Sequence, residues 1–122
     1  MNIVDSCGWL EYFAGTDKAK LYSKPIEDTS SLIVPSICVL EVVKKLTLEA
    51  GQDAALTAAV AMAQAEVVDL DFEIAILAAQ LGASRHIPLA DSVILATARI
   101  KNATVWTHDE HFKGLEGVRF CV

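Results

Sequence analysis

The sequence predicts an α/β fold in three layers, an α/β/α sandwich with a small parallel sheet of about five strands. Three observations predict it. Five short apolar runs of β type recur along the chain, longer stretches of helical periodicity separate them, and glycines and prolines fall where one kind of segment gives way to the next. Strands that alternate with helices pair in parallel, and right-handed crossovers then place helices on both faces of the sheet.

In chain order, Asn2 to Val4 is the first apolar run, and Ser6 to Phe13 follows with helical spacing until Gly15 stops it. A second helical stretch is expected over Asp17 to Glu27. Leu32 to Val34 is the second strand, closed by Pro35 and followed by a helix over Ser36 to Ala50. Gly51 ends that helix, and Gln52 to Gln64 continues with helical spacing. Glu66 to Val68 is the third strand, and Phe72 to Ala83 the next helix. Gly82 and Pro88 flank a break before a helix over Asp91 to Lys101. Ala103 to Trp106 and Val118 to Phe120 supply the last two strands. No repeat, low-complexity tract or linker interrupts the 122 residues, so residues 1–122 are expected to form one domain around one core.

Composition narrows the function. With 53% hydrophobic residues and a mean hydropathy of +0.40, the chain carries more apolar surface than a small monomer needs to bury, which predicts a dimer face or a partner groove. The uncharged stretch Ala54 to Ala65 is far shorter than the roughly 20 residues that cross a bilayer. The N-terminus lacks the basic start and apolar run of a secretion signal, so a cytoplasmic, membrane-free location is expected. Cys7, Cys38 and Cys121 are isolated and odd in number, which disfavours both a disulfide framework and a structural zinc site. The net charge of −6 has the wrong sign for bulk electrostatic capture of nucleic acid; any such function needs a local site with cations supplied to it.

The placement of the acids is the informative pattern. Asp5 follows the first strand directly, Glu41 lies in the second turn of the helix after the second strand, and Asp109 lies just past the fourth. Parallel strands end at one edge, where open α/β sheets build their sites, so these acids should converge there, with Asp91 joining from the helix after Pro88. Each has an ordinary reading as well. Asp5 and Asp91 suit helix starts, and Glu41 precedes Lys45 by four residues, the spacing of a surface ion pair. Thr107 and Glu110 have the spacing of a capping box around Asp109. Collectively, four carboxylates at one sheet edge repel one another, and a bound cation is the simplest remedy.

An all-oxygen donor set favours a hard ion, Mg²⁺ or Mn²⁺, and suits phosphodiester hydrolysis by metal-activated water. The three histidines, His86, His108 and His111, are read as loop or surface residues, since they do not supply a zinc-type set. No Gly-x-Ser-x-Gly elbow, Walker A loop or Gly-x-Gly-x-x-Gly turn occurs, which removes the basis for a serine hydrolase, an NTPase or a dinucleotide enzyme. Lysines 18, 20, 24, 44 and 45 are potential phosphate contacts but read first as a solvated charged face, and Trp9, Tyr12 and Phe13 read first as packing aromatics.

Four segments in order, "NIVDSCGWLEYF", "VPSICVLEVVKKL", "IPLADSVILATAR" and "ATVWTHDEHF", resemble the PIN-domain family over nearly the whole chain, and the stand-alone size is similar to its VapC toxins. The resemblance implies Mg²⁺- or Mn²⁺-dependent cleavage of single-stranded RNA by an acidic tetrad that here would be Asp5, Glu41, Asp91 and Asp109. Thr107 and Ser6 would be the hydroxyl residues bonding around it. It further implies a homodimer, a VapB-like antitoxin that blocks the site, and contact with DNA only through that antitoxin. Two other readings fit parts of the pattern. A PIN-like interaction module with weak catalysis would suit the net acidity. A phospho-acceptor signalling domain would need an acidic pair near the start and a lysine after a late strand, and Asp5 and Thr107-His108-Asp109 provide neither.

Overall fold

β-Branched and aliphatic residues dominate the five predicted strand segments, and all five pair into one sheet. In the computed structural model, which describes residues 1–122, they are β1 (Asn2–Val4), β2 (Leu32–Pro35), β3 (Glu66–Val68), β4 (Thr104–Thr107) and β5 (Val118–Phe120). The order across the sheet is β3-β2-β1-β4-β5. Every neighbouring pair is parallel, with Ile3 opposite both Ile33 and Val105. The helices are α1 (Ser6–Ala14), α2 (Ser23–Glu27), α3 (Ser36–Ala50), α4 (Gln52–Met62), α5 (Phe72–Arg85) and α6 (Leu89–Lys101). They flank the sheet and give the α/β/α sandwich expected from the sequence.

The core follows from burial on both faces of the central strands. Ile3, Val4, Ile33, Val34 and Val105 are almost fully enclosed, as a parallel sheet covered on both sides requires. Residues 91–98 of α6 are all buried, so this helix runs through the interior. Close approach at two places needs glycine. A Cβ at Gly8 would lie 2.6 Å from the Tyr22 ring and 2.7 Å from Val4 Cγ1, so the missing side chain lets buried Tyr22 pack across α1. Gly82 does not mark a break, contrary to its reading from the sequence; it lies inside α5, where a Cβ would meet Ser92 Oγ at 2.7 Å. The helix instead stops at His86, which adopts the left-handed conformation at φ 56°.

The helix expected over Asp17 to Glu27 is two pieces, a 3₁₀ turn over Asp17–Leu21 and the short α2. Pro25 explains the break. It lacks the N–H that a continuous helix would bond to Leu21, and is tolerated only because it stands in the first turn of α2. Likewise α6 begins at Leu89, two residues earlier than predicted, with Pro88 fixing its start and Asp91 inside its first turn.

The topology creates one favoured place for a site. From β1 the chain steps outward to β2 and β3, then crosses back to add β4 on the other side of β1. The crevice between the C-terminal ends of β1 and β4 is therefore the switch point of the sheet. Helix α6 precedes β4 and runs back towards the start of that strand, so its own N-terminus stands at the same edge. No helix is long and apolar enough to cross a membrane.

Candidate metal centre

Asp5 caps α1 at the end of β1 and is only 2% exposed. One carboxylate oxygen accepts from the Ser6 N–H at 2.7 Å and lies 3.3 Å from Ser6 Oγ. The other accepts from Thr107 Oγ1 at 2.8 Å and from Cys7 Sγ at 3.5 Å. The capping reading of Asp5 is therefore true and incomplete, because a cap needs no hydroxyl reaching over from β4.

Ser6 and Thr107 tie the acids together. Ser6 Oγ, besides its contact with Asp5, lies 3.0 Å from Glu41 Oε1, donating to it. Thr107 Oγ1 accepts from the Asp109 N–H at 2.9 Å while donating to Asp5. The ion pair that the spacing of Glu41 and Lys45 suggested does not form; Lys45 Nζ approaches Glu49 at 3.7 Å instead, and Glu41 turns towards Ser6. The capping box suggested for Thr107 and Glu110 is replaced by Asp109 itself, whose Oδ1 accepts from the His111 N–H at 3.0 Å and caps the 3₁₀ turn Glu110–Phe112.

Asp91 closes the cluster from α6. It is 8% exposed and lies in the first turn without serving as the cap. A carboxylate oxygen each from Asp91 and Asp109 and a nitrogen of His111 all lie within 4.8 Å of one another. His111 Nδ1 stands 2.9 Å from Asp109 Oδ1 and 3.3 Å from Asp91 Oδ2. All six residues singled out from the sequence thus meet at the C-terminal edge of β1 and β4.

Electrostatics agrees with this convergence. Burial raises the Asp5 carboxyl above its ordinary value and Asp109 adds to the shift, although the bonds from Thr107, Ser6 and Cys7 work against it. Glu41 is raised by burial and by the charges of Asp5 and Asp109. Asp91 is pushed up to about 7 by burial, then by Asp109 and Asp5, with Glu41 adding to it and His111 opposing it. Each raised group feels the other acids, which is the signature of carboxylates sharing one site. The donor set fits a divalent cation: oxygen-rich, anionic, and short of positive charge on the protein side.

Two neighbours escaped the sequence reading. His111 is no loop bystander but the one imidazole among the acids, and the signal for it was the Asp-x-His spacing on a turn that Asp109 caps. Cys7 touches both Asp5 Oδ2 and Thr107 Oγ1 at 3.5 Å. Burial pushes its thiol up to about 12, so near neutral pH it is a protonated donor rather than a reactive thiolate. His108, by contrast, bonds the Tyr22 hydroxyl through Nδ1. Beside Ser6 and Glu41 opens a cleft of about 580 Å³, with Leu10, Leu40, Lys44 and Lys45 in its walls. The apolar groove between α5 and α6, about 410 Å³, is lined by none of the acids.

Three solved structures share this architecture. A toxin–antitoxin complex from Klebsiella pneumoniae contains a chain that is 20% identical, with a TM-score of 0.84 over 100% of this chain and 98% of that one. DNA-bound VapBC from Salmonella typhimurium is 19% identical, with a TM-score of 0.74 over 98% and 97%. VapC20 from Mycobacterium tuberculosis, described as a sarcin–ricin loop cleaving toxin, is 18% identical with a TM-score of 0.75 over 98% and 99%. At these identities the likeness is one of fold. No curated protein sequence matches the chain. The PIN domain family model matches residues 3–118, which reaches all five strands and takes in every acid of the cluster. The chain belongs to the PIN domain family.

Proposed function

We propose that the chain is a Mg²⁺- or Mn²⁺-dependent endoribonuclease that hydrolyses phosphodiester bonds of single-stranded RNA, and that it is the toxin of a toxin–antitoxin pair. The observation that carries this reading is the meeting of Asp5, Glu41, Asp91 and Asp109 at one sheet edge, with three of the four carboxyls raised by burial and mutual repulsion. Asp5, Asp91 and Asp109 would hold the ion, with Glu41 completing its surroundings. When bound, the ion supplies activation of a water molecule and neutralisation of phosphate charge.

The remaining work falls to the chain itself. Thr107 and the Ser6 N–H hold the two Asp5 oxygens in fixed directions, so that carboxylate is oriented before any ligand arrives. Ser6 engages Oε1 of Glu41 and leaves Oε2 to orient the attacking water. Lys44 and Lys45, in the cleft beside Glu41, supply the local positive charge that an RNA backbone needs on a protein of net charge −6. The test is incubation of purified protein with total RNA and Mn²⁺. Cleavage that stops on adding EDTA is expected, and intact RNA under both conditions refutes the assignment.

The solved relatives in toxin–antitoxin complexes, some of them DNA-bound, support a VapB-like antitoxin as partner; DNA reached only through that antitoxin, a single domain and a cytoplasmic location are parts of the same proposal. A homodimer is supported by apolar side chains left in solvent along and beside the α5–α6 groove, including Phe72 at 82% and Leu89 at 85% exposure, since patches of this kind are covered in most stable proteins. Sedimentation equilibrium at micromolar concentration should give twice the chain mass, and a strict monomer would remove the dimer from the proposal.

A further inference from the structure

We infer that His111 is itself a ligand of the bound ion, and that its nitrogen tunes the site towards Mn²⁺ over Mg²⁺. The inference rests on the metal-nuclease reading and extends it to a residue that an all-carboxylate site does not require. His111 Nδ1 lies 2.9 Å from Asp109 Oδ1 and 3.3 Å from Asp91 Oδ2. Neighbouring ligands of an octahedral ion with bonds of ~2.1 Å are roughly 3 Å apart, so the nitrogen stands from each of the two carboxylate oxygens at the spacing of adjacent coordination positions.

Two further observations indicate that this spacing is built in. The His111 N–H donates to Asp109 Oδ1 at 3.0 Å, and the adjacent Phe112 is fully buried, so the turn that carries the imidazole is anchored on both sides. Asp91 is nearly enclosed, yet no hydroxyl or backbone N–H donates to its carboxylate. The one basic group within 4 Å of it is His111, and its other polar neighbours are the acids themselves. The other buried acid, Asp5, has three donors, the Ser6 N–H, Cys7 Sγ and Thr107 Oγ1. Asp91 is therefore a carboxylate whose bonding capacity is left for something placed between it, Asp109 and His111.

The chemistry of the donors then selects the ion. Mg²⁺ takes oxygen ligands and sheds water reluctantly, whereas imidazole is an ordinary ligand for first-row transition ions. One nitrogen beside several carboxylates leaves the site able to hold Mg²⁺ and adds affinity for Mn²⁺ alone.

The experiment uses the full chain stripped with chelator and titrated calorimetrically with MnCl₂ or MgCl₂. Wild type, His111→Ala, His111→Gln and Asp109→Asn are compared. Loss of the nitrogen should weaken Mn²⁺ binding about 10- to 100-fold and Mg²⁺ binding by no more than about threefold, whereas Asp109→Asn should weaken both. Electron spin-echo spectra of the Mn²⁺-loaded wild type should carry the modulation of a coordinated imidazole nitrogen, absent from both His111 variants. Unchanged Mn²⁺ affinity in His111→Ala, an equal loss for both ions, or tighter binding of both overturns the ligand role. If Asp109→Asn still loses both ions in that case, the acidic site stands without His111. A wild type that binds neither ion overturns the nuclease reading along with it.

Discussion

Asp5→Asn should lower RNA cleavage by about 10³-fold or more, the scale on which removal of one preorganised electrostatic group acts, while the protein remains folded. The substitution keeps the volume and the local geometry. Asn is as good an N-cap as Asp, so the bond from the Ser6 N–H survives. Thr107 Oγ1 loses its carboxylate acceptor but can accept from the new amide. What disappears is a charge that burial and Asp109 already hold at a cost, since both raise the Asp5 carboxyl. The thermal midpoint without metal should therefore be unchanged or higher, the pattern expected of a residue kept for function against stability. Asp17→Asn, at an exposed acid of the 3₁₀ turn after α1, is the matched control and should cleave as wild type does. Full activity in purified Asp5→Asn protein, with the control behaving as stated, would remove Asp5 from the site.

The site was legible in the sequence to the extent that it depends on strand ends. Asp5 and Asp109 are placed by β1 and β4, and parallel strands finish at one edge, so two of the acids follow from the apolar runs alone. Glu41 and Asp91 need more, because a helical residue reaches the edge only if its helix presents the right face. For Glu41 the local rule pointed the wrong way: an i,i+4 pair with Lys45 is worth only a few tenths of a kcal/mol, and the bond from Ser6 in a half-buried site prevails. The break in the second helical stretch was readable at Pro25 and was overridden by the apolar period around it. Gly82 misled for the opposite reason, since a glycine that punctuates in one context makes room for a neighbouring helix in another. His111 stayed hidden because its place among the acids depends on a turn capped by Asp109 and on the first turn of α6, which β4 folds back beside it.

Millimolar Mn²⁺ should raise the thermal midpoint by about 10 °C at pH 8 and by much less at pH 5.5. The magnitude follows from binding linkage, because an ion at 100 times its dissociation constant stabilises the folded state by about 2.7 kcal/mol, and each kcal/mol moves a domain of this size by roughly 4 °C. The pH dependence follows from Asp91, whose carboxyl is pushed up to about 7 in the folded protein from the ordinary 3.8. Between those values the folded chain binds more protons than the unfolded one, so metal-free stability falls as pH rises through that interval. Below about 4 both states are protonated and the contribution is complete, and above about 7 both are ionised and it is lost. Asp5 and Glu41 are raised as well and act in the same direction. Protons and metal ions thus relieve the same repulsion and compete for the same oxygens, which makes the ion's benefit largest where the protons have left. A scan of melting temperature against pH, with Mn²⁺ and with EDTA, should give two curves that lie close together near pH 5.5 and diverge above pH 7. Curves that stay parallel across this range would mean that the ion, if it binds, does so away from Asp91 and its neighbours.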